Sequence, residues 1–348
     1  MPLYICAVNS SELYMKRCLE LAELGRGRVA PNPLVGSVVV HNDRIIGEGY
    51  HQVYGKAHAE VNAIESVKDK DLIKDSIIYV NLEPCSHHGK TPPCADRISD
   101  LKPRKVVIAV KDPNPKVSGR GIEKMRNAGI EVEIGLLEEE SRRLNRAFFS
   151  HFEQKRPYIT LKWAQSSDGF IAPEGQQLWL SGHESRVISH KLRAENMAIL
   201  VGANTVSIDN PSLTTRNHPG TNPIRLVLDA ELELSKDHKV FDSEAKSIWF
   251  NFKESGKEGQ VEKVKLDPQQ PVSNQISNVL QDLDINSLIV EGGAQTLSSF
   301  IQEGSWDEAY ILESGTIISE GIPAPSIWGD AISKKRIGKD QLSILKRI

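Results

Sequence analysis

The chain has 348 residues, of which 39% are hydrophobic and 26% charged, and its formal net charge is −3 at pH 7. This length suits two average domains, the composition is typical of a globular enzyme, and the near-neutral charge excludes the basic field typical of nucleic-acid-binding proteins. Four cysteines are too few for a disulfide scaffold, residues 1–10 lack the basic segment of a signal peptide, and no apolar run reaches ~18 residues. We therefore expect a cytoplasmic enzyme without a membrane or nucleic-acid partner.

The first half of the sequence predicts alternating helices and strands. Met15, Cys18, Leu19 and Ala22 have the i, i+3, i+4, i+7 spacing of an amphipathic helix. The further predicted elements are two strands joined by a turn (37–40 and 44–50), a helix (58–67), a strand (76–82), a helix that begins at Cys94, a strand (105–110), a helix (122–127) and a strand (130–134). This alternation predicts a sheet with parallel members that is covered by helices on both faces.

Residues of the types that bind metals lie at the ends of these elements. His58 begins a predicted helix, Cys85 follows a predicted strand, and Cys94 begins the next helix. Zinc takes such ligands, and a catalytic zinc keeps its fourth position for water, whose pKa it lowers from 15.7 to about 7. His-x-Glu followed by Pro-Cys and a second Cys is the pattern of zinc-dependent nucleobase deaminases, in which Glu60 would carry the proton. Glu60 would pass it to a ring nitrogen and help ammonia leave.

Two other interpretations of these residues remain open. Cys85 and Cys94 would form a disulfide in an oxidising compartment, of which the sequence shows no sign. A purely structural zinc would take a fourth protein ligand, such as His87 or His88, and would not need Glu60.

The two cysteines are separated by an insert, residues 86–93, and are therefore not a Cys-x-x-Cys pair. The whole run PCSHHGKTPPC (84–94) resembles the deaminase motif of the bifunctional riboflavin-biosynthesis enzymes, in which a pyrimidine deaminase is fused to an NADPH-dependent reductase. Three further runs resemble the same family: PNPLVG (31–36), GEGYH (47–51) and KDPNP (111–115). The resemblance implies an α/β protein whose first domain is a cytidine-deaminase-like three-layer domain that holds Zn²⁺.

Three residues are candidate contacts for the deaminase substrate. Asn32 lies between two prolines and is a candidate to hydrogen-bond the pyrimidine edge, although an Asn in such a turn is equally often structural. Lys90 and Thr91, in the insert, are candidates to bind a phosphate, because lysine supplies a point charge for that purpose. An exposed loop lysine is the alternative for Lys90.

A charged helix is predicted over residues 136–154, and Pro157 prevents its continuation. We place the domain boundary there, which gives domains 1–154 and 155–348. The second domain is predicted to contain strands 158–163, 198–201, 224–228, 247–250 and 287–290, with a helix over 185–195 and another after Gly292-Gly293. A strand that enters a double glycine at a helix start is suited to bind phosphate, but a plain strand-to-helix turn has the same pattern.

Residues 162–169, 193–194, 202–216 and 291–299 resemble the reductase domain of the same family, which is dihydrofolate-reductase-like and has no Rossmann motif. The resemblance implies that NADPH is held at Ala164, Trp179, Thr205, Asp209, Ala230, Gly293, Ala294, Gln295, Thr296, Leu297, Ser298 and Ser299. It implies that the substrate is held at Gln177, Arg193, Leu213, Arg216 and Glu291. Two arginines suit one phosphate, because guanidinium binds phosphate through two hydrogen bonds.

The resemblance implies that the first domain deaminates 2,5-diamino-6-ribosylamino-4(3H)-pyrimidinone 5′-phosphate. The second domain would then reduce the ribosyl group of that product to ribityl with NADPH. The partner would thus be a small phosphorylated pyrimidine, and we expect a homo-oligomer. One alternative is a tRNA or nucleobase deaminase whose second half binds RNA, and another is a second half that is a scaffold without coenzyme.

Overall fold

The structure is a computed structural model that describes residues 10–86 and 92–348. The chain separates into two compact units, Met1–Gln154 and Lys155–Ile348, each with its own large β-sheet. His87, His88, Lys90 and Thr91 lie outside the described residues. Within the described part of the chain, every helix is too short or too polar to cross a lipid bilayer.

The first unit is a five-stranded sheet with helices on both faces. Its helices are α1 Ser10–Glu23, α2 Ala59–Ser66, α3 Cys94–Leu101, α4 Arg120–Asn127, α5 Glu138–Leu144 and α6 Arg146–Phe149. Its strands are β1 Gly36–His41, β2 Arg44–Tyr50, β3 Ile77–Val80, β4 Lys105–Ile108 and β5 Glu131–Ile134. The strand order is β2-β1-β3-β4-β5, with β3, β4 and β5 parallel and β1 antiparallel to both of its neighbours.

Alternation along the strands divides the apolar residues of this unit between two cores. On β1, Val39 packs with residues of α2, α3 and α4, whereas Val38 and Val40 pack with residues of α1. Successive side chains of a strand point to opposite faces, so a strand with buried residues at every position is covered on both sides. The predicted sheet, parallel in part and covered by helices on both faces, is thus confirmed.

The second unit contains a ten-stranded sheet and a separate two-stranded ribbon. Its helices are α7 His183–Glu195, α8 Ala203–Asp209, α9 Val272–Asp282 and α10 Ala294–Gln302. Its strands are β6 Tyr158–Gln165, β7 Phe170–Ala172, β8 Ala198–Gly202, β9 Ile224–Leu228, β10 Ser247–Asn251, β11 Gly256–Glu258, β12 Val261–Lys265, β13 Ser287–Val290, β14 Glu308–Glu313, β15 Ile322–Pro323, β16 Asp330–Ile337 and β17 Asp340–Lys346.

The strand order of this sheet is β11-β12-β10-β9-β8-β13-β6-β14-β17-β16, and β7 pairs with β15 in a separate two-stranded ribbon. The strands from β12 to β14 run parallel, and antiparallel strands complete both edges. In parallel strands the carboxyl ends meet at one edge of the sheet, where ligands of open α/β sheets bind. The loops after β6, β8, β9 and β13 therefore come together at that edge.

The predicted helix over residues 136–154 is confirmed for most of its length, but it is not continuous. It is broken at Asn145, whose side chain accepts from the Leu34 N–H at 2.7 Å and donates to the Leu34 carbonyl at 2.9 Å. This pair of bonds holds Asn145 outside helical geometry. Asp209, one of the implied coenzyme contacts, is the last residue of α8, which ends because Asn210 adopts a left-handed conformation with φ 39°.

Candidate functional site

In the first unit, the structure brings His58, Cys85 and Cys94 together. His58 Nδ1 lies 3.5 Å from Cys85 Sγ and 3.4 Å from Cys94 Sγ, and one ligand atom from each residue falls within a 4.8 Å cluster. Ligands bound 2.0 to 2.3 Å from a tetrahedral zinc are separated by about 3.5 Å, so the observed spacing and the donor types both fit this metal. His58 is the residue directly before α2, and Cys94 begins α3.

Hydrogen bonding among these three side chains favours the deprotonated form of one thiol. The Cys94 thiol and the His58 ring lower the pKa of Cys85 to about 4. The Cys85 sulfur in turn raises the pKa of Cys94 and brings that of His58 to about 9. Zinc binds thiolate and neutral imidazole, so metal binding would displace the protons that Cys94 and His58 hold.

Glu60 lies in the first turn of α2 and is 3% exposed. Burial raises the pKa of Glu60 to about 7, against an ordinary value of 4.5. A carboxyl group with a pKa near neutrality both gives and accepts a proton under those conditions, which suits general acid–base catalysis.

Asn32 is connected to this cluster through His51. His51 is 3% exposed, and its ring centroid lies 5.4 Å from that of His58. His51 Nδ1 contacts the Ala57 carbonyl at 3.1 Å, so Nδ1 carries the proton and Nε2 accepts from the Asn32 amide nitrogen at 3.2 Å. This arrangement fixes the Asn32 amide and leaves its oxygen, Oδ1, as an acceptor.

Glu83, a residue without a predicted role, organises the loops beside Cys85. Its buried carboxylate accepts from four backbone N–H groups, at 2.9 to 3.3 Å, those of Asp112, Gly119, Gly121 and Ile122. Two of these groups belong to the first turn of α4, where a helix has N–H groups without partners of their own. Glu83 therefore links the segment after β3, which carries Cys85, to the start of α4.

The second unit contains a cavity of about 1050 Å³ at the carboxyl edge of its sheet. Most of the residues that the resemblance implies for coenzyme and substrate line this cavity: Ala164, Gln177, Trp179, Arg193, Thr205, Asp209, Leu213, Arg216, Ala230, Glu291, Gly293, Ala294, Gln295, Thr296 and Ser299. Two implied coenzyme residues do not line it. Leu297 packs in the hydrophobic core with its N–H bonded to the Gly293 carbonyl, and Ser298 lies elsewhere on α10.

A buried ion cluster lies on the wall of this cavity. Arg193 donates to both carboxylate oxygens of Glu291, at 3.0 and 2.7 Å, and Lys162 Nζ lies 3.9 Å from the same carboxylate. Burial raises the pKa of Glu291, but Arg193 and Lys162 outweigh it and bring the pKa to about 2. Lys162 was not predicted as a site residue, although a lysine within an apolar strand was a visible signal.

Arg216 and His190 occupy the same wall. The Arg216 N–H donates to His190 Nδ1 at 3.3 Å, and the Arg216 guanidinium contacts the hydroxyl groups of Ser212 and Thr214. Burial and then the neighbouring arginines lower the pKa of His190 to about 4. The ring is therefore neutral at pH 7.

The double glycine before α10 has the backbone geometry that close ligand approach requires. Gly292 has φ 114° and Gly293 has φ 68°, a region that side-chain-bearing residues rarely adopt. A Cβ on either glycine would lie 3.3 Å from the Thr205 side chain. The double glycine and the first turn of α10 therefore border the cavity, where the N-terminus of a helix is suited to bind phosphate.

Comparison with known proteins agrees with this arrangement. Residues 8–110 match the family model described as "Cytidine and deoxycytidylate deaminase zinc-binding region", and residues 157–320 match "RibD C-terminal domain". The riboflavin biosynthesis protein RibD of Aquifex aeolicus is 45% identical over 89% of this chain and 88% of its own, and that of Bacillus amyloliquefaciens is 39% identical over 91% and 87%.

Solved structures agree as well. A Thermotoga maritima deaminase/reductase is 39% identical and superposes with a TM-score of 0.89 over 97% of this chain and 99% of its own. Acinetobacter baumannii RibD, at 30% identity, has the same TM-score and coverage.

The fold and the two sites define a zinc-dependent deaminase joined to a dihydrofolate-reductase-like reductase, with zinc and NADPH as cofactors. The second unit matches a reductase domain, so the alternative of an RNA-binding or non-catalytic second half is not favoured. The chain belongs to the RibD family of riboflavin biosynthesis proteins. It is a bifunctional enzyme with deaminase and reductase activities.

Proposed function

We propose that the first unit deaminates 2,5-diamino-6-ribosylamino-4(3H)-pyrimidinone 5′-phosphate and that the second reduces the ribosyl group of the product with NADPH. The similar Thermotoga maritima protein is described as a diaminohydroxyphosphoribosylaminopyrimidine deaminase/5-amino-6-(5-phosphoribosylamino)uracil reductase. The observation that carries the proposal is the pairing, in one chain, of a His-Cys-Cys cluster beside a buried glutamate with a cation-rich cavity.

For deamination, His58, Cys85 and Cys94 would hold the zinc ion. When bound, zinc supplies a water molecule that is acidic enough to act as a nucleophile near neutral pH. Glu60 would take one proton from this water and give it to a pyrimidine ring nitrogen, and it would then carry the second proton, from the hydroxyl group now on the ring carbon, to the departing amino group. The amine is replaced by a carbonyl oxygen, and ammonia is released.

The deaminase substrate would be oriented by Asn32, Lys90 and Thr91. His51 holds the Asn32 amide nitrogen, so Asn32 Oδ1 is available to accept an N–H from the pyrimidine edge. We assign the substrate phosphate to Lys90 and Thr91 on the sequence alone, because these two residues lie outside the described part of the chain.

For reduction, NADPH supplies a hydride to C1 of the sugar, which is electrophilic once the ring opens to an imine. Arg193 and Arg216 would anchor the phosphate, and Glu291 would accept a sugar hydroxyl, with Gln177 and Leu213 on the same wall. Ala164, Trp179, Thr205, Asp209, Ala230 and the start of α10 would hold the coenzyme. Leu297 is left out of this set, because its side chain lies in the core.

The test is to incubate the purified, zinc-loaded protein with the diamino substrate, with and without NADPH. Ammonia should be released in both cases, and the ribityl product should form only with NADPH. With deuterium at the nicotinamide C4, the label should appear at C1 of the product. Absence of ammonia release would contradict the deaminase substrate, and a label elsewhere would contradict the placement of the sugar.

We further propose that the enzyme is a cytoplasmic homo-oligomer. We also propose that it does not bind nucleic acid, because its net charge is −3. Light scattering on the eluting protein measures the assembly. A gel-shift experiment at low salt tests the second point, because electrostatic binding to nucleic acid is strongest there.

A further inference from the structure

His190 is a cavity residue to which the reductase reaction described above assigns no role. It lies on α7 one turn before Arg193, and residues three apart on a helix share a face. Its side chain is largely buried and borders the cavity. We propose that His190 is a third anchor for the phosphate of the reductase substrate, to which it donates a neutral N–H from Nε2. This inference rests on the function proposed for the second unit.

The hydrogen bond at the other ring nitrogen fixes the tautomer of His190. Nδ1 accepts the Arg216 N–H at 3.3 Å, so Nδ1 carries no proton. A neutral imidazole then carries its one proton on Nε2, which becomes a donor. Among residues 10–86 and 92–348, no protein group is hydrogen-bonded to Nε2, and the ring faces the cavity.

The charges on this wall favour a phosphate as the acceptor. Lys162, Arg193 and Arg216 oppose the single carboxylate of Glu291, which leaves cations in excess around His190. A phosphate monoester carries about −1.5 to −2 charges at pH 7 and has three acceptor oxygens. These oxygens match two guanidinium groups and one further donor.

A neutral donor suits this position better than another cation would. The groups that face His190 are Arg193, Arg216, Glu291 and Lys162, and the three cations outweigh the carboxylate and, with burial, keep the ring neutral. A neutral N–H adds a bond to the phosphate without adding repulsion between His190 and the arginines. The same ring also holds the backbone of Arg216, so one side chain would position one anchor and supply another.

Two variants separate these roles. His190→Gln places an amide N–H near the position of Nε2 but offers nothing at Nδ1, whereas His190→Asn places an acceptor near Nδ1 but no donor near Nε2. The dissociation constants of ribose 5-phosphate, NADPH and NADH would be measured by calorimetry on the full-length, zinc-loaded protein. All five tryptophans of the chain lie in the second unit, so tryptophan emission checks that this unit is folded.

We expect His190→Asn to weaken ribose 5-phosphate binding by about tenfold or more, the usual effect of losing a hydrogen bond to a charged group. His190→Gln should bind it more tightly than His190→Asn does, and the preference for NADPH over NADH should not change. If His190→Asn bound ribose 5-phosphate more tightly than His190→Gln, His190 would act only by positioning Arg216, and the proposal would be overturned.

Two other results would also overturn it. Loss of the preference for NADPH would mean that His190 binds the 2′-phosphate of the coenzyme, and binding as tight as that of the unmodified enzyme in both variants would mean that it binds no phosphate. These results leave the proposed reductase function intact. Failure of the unmodified protein to bind ribose 5-phosphate would instead refute that function together with this inference.

Discussion

Replacement of Arg193 by methionine should destabilise the second unit, because it leaves the carboxylate of Glu291 buried without its main partner. Methionine keeps an unbranched apolar stem but removes the bidentate bonds of 3.0 and 2.7 Å. The removal of one partner from a buried ion pair commonly costs about 3 to 5 kcal/mol. Lys162 remains 3.9 Å from the carboxylate, so we expect the lower end, about 3 kcal/mol.

The pKa of Glu291 leads independently to a stabilisation of the same size. It is about 2 in the folded protein against an ordinary value of 4.5, and each unit of difference corresponds to about 1.4 kcal/mol, which again gives about 3 kcal/mol. Because the folded pKa is depressed, this stabilisation is present above pH 4.5 and is lost as the pH falls towards 2. The stability deficit of Arg193→Met should therefore shrink over that same window.

Tryptophan fluorescence during thermal or urea unfolding is the assay, since it reports on the second unit alone. For a unit of this size, 3 kcal/mol corresponds to a fall in Tm of about 6 to 12 °C. Unchanged stability at pH 7 would show that the pair is not net stabilising. A deficit that persists at the lowest pH would show that the loss comes from packing and not from the charge.

Four further predictions concern the two sites. Cys94→Ala should lose zinc and deaminase activity together, and full zinc occupancy by atomic absorption would contradict its role as a ligand. Glu60→Gln should keep zinc but lose deaminase activity at least ~10²-fold, while the reductase, assayed on deaminated substrate, is unchanged. Arg216→Ala should raise the KM of the reductase substrate far more than that of NADPH, because one ligand loses a charged contact. Gly293→Val should do the reverse, because a β-branched residue at φ 68° crowds the coenzyme side of the cavity.

The His-Cys-Cys cluster was predictable from the sequence because its three residues lie at the ends of short, regular elements. His58 and Cys94 mark helix starts, and Cys85 follows a buried strand, so the pattern along the chain already determines which side chains meet. Glu83 was not predictable in the same way. Its carboxylate is satisfied by backbone groups of a loop and of α4, and backbone groups leave no pattern of residue types.

His190 was missed for a related reason. Its ring accepts the backbone N–H of Arg216, and no periodicity along α7 indicates a hydrogen bond to a group so far along the chain. The interruption at Asn145 in the helical segment 136–154 was not predictable either, because a buried bond pair with the distant Leu34 outweighs local helix propensity there.

The C-terminal strands gave little sequence signal. Most residues of β16 are exposed, so this edge strand lacks the alternation of apolar and polar residues by which a strand is recognised. Its pairing with β17, and that of β17 with β14, depends on partners from distant parts of the chain. Such pairings are set by tertiary packing and not by local propensity.

The order of strands in the second sheet has a consequence for folding during synthesis. The first unit is continuous in sequence, so it can fold while the ribosome is still adding the second. In the second unit, β6 is made first, yet its neighbours are β13 and β14, which enter the chain only at Ser287 and Glu308. Until then β6 lacks both strands that flank it in the sheet, and such long-range parallel pairing is slow. Nascent chains stalled before Ser287 should therefore contain a folded deaminase unit and a reductase unit that is open to proteases and chaperones.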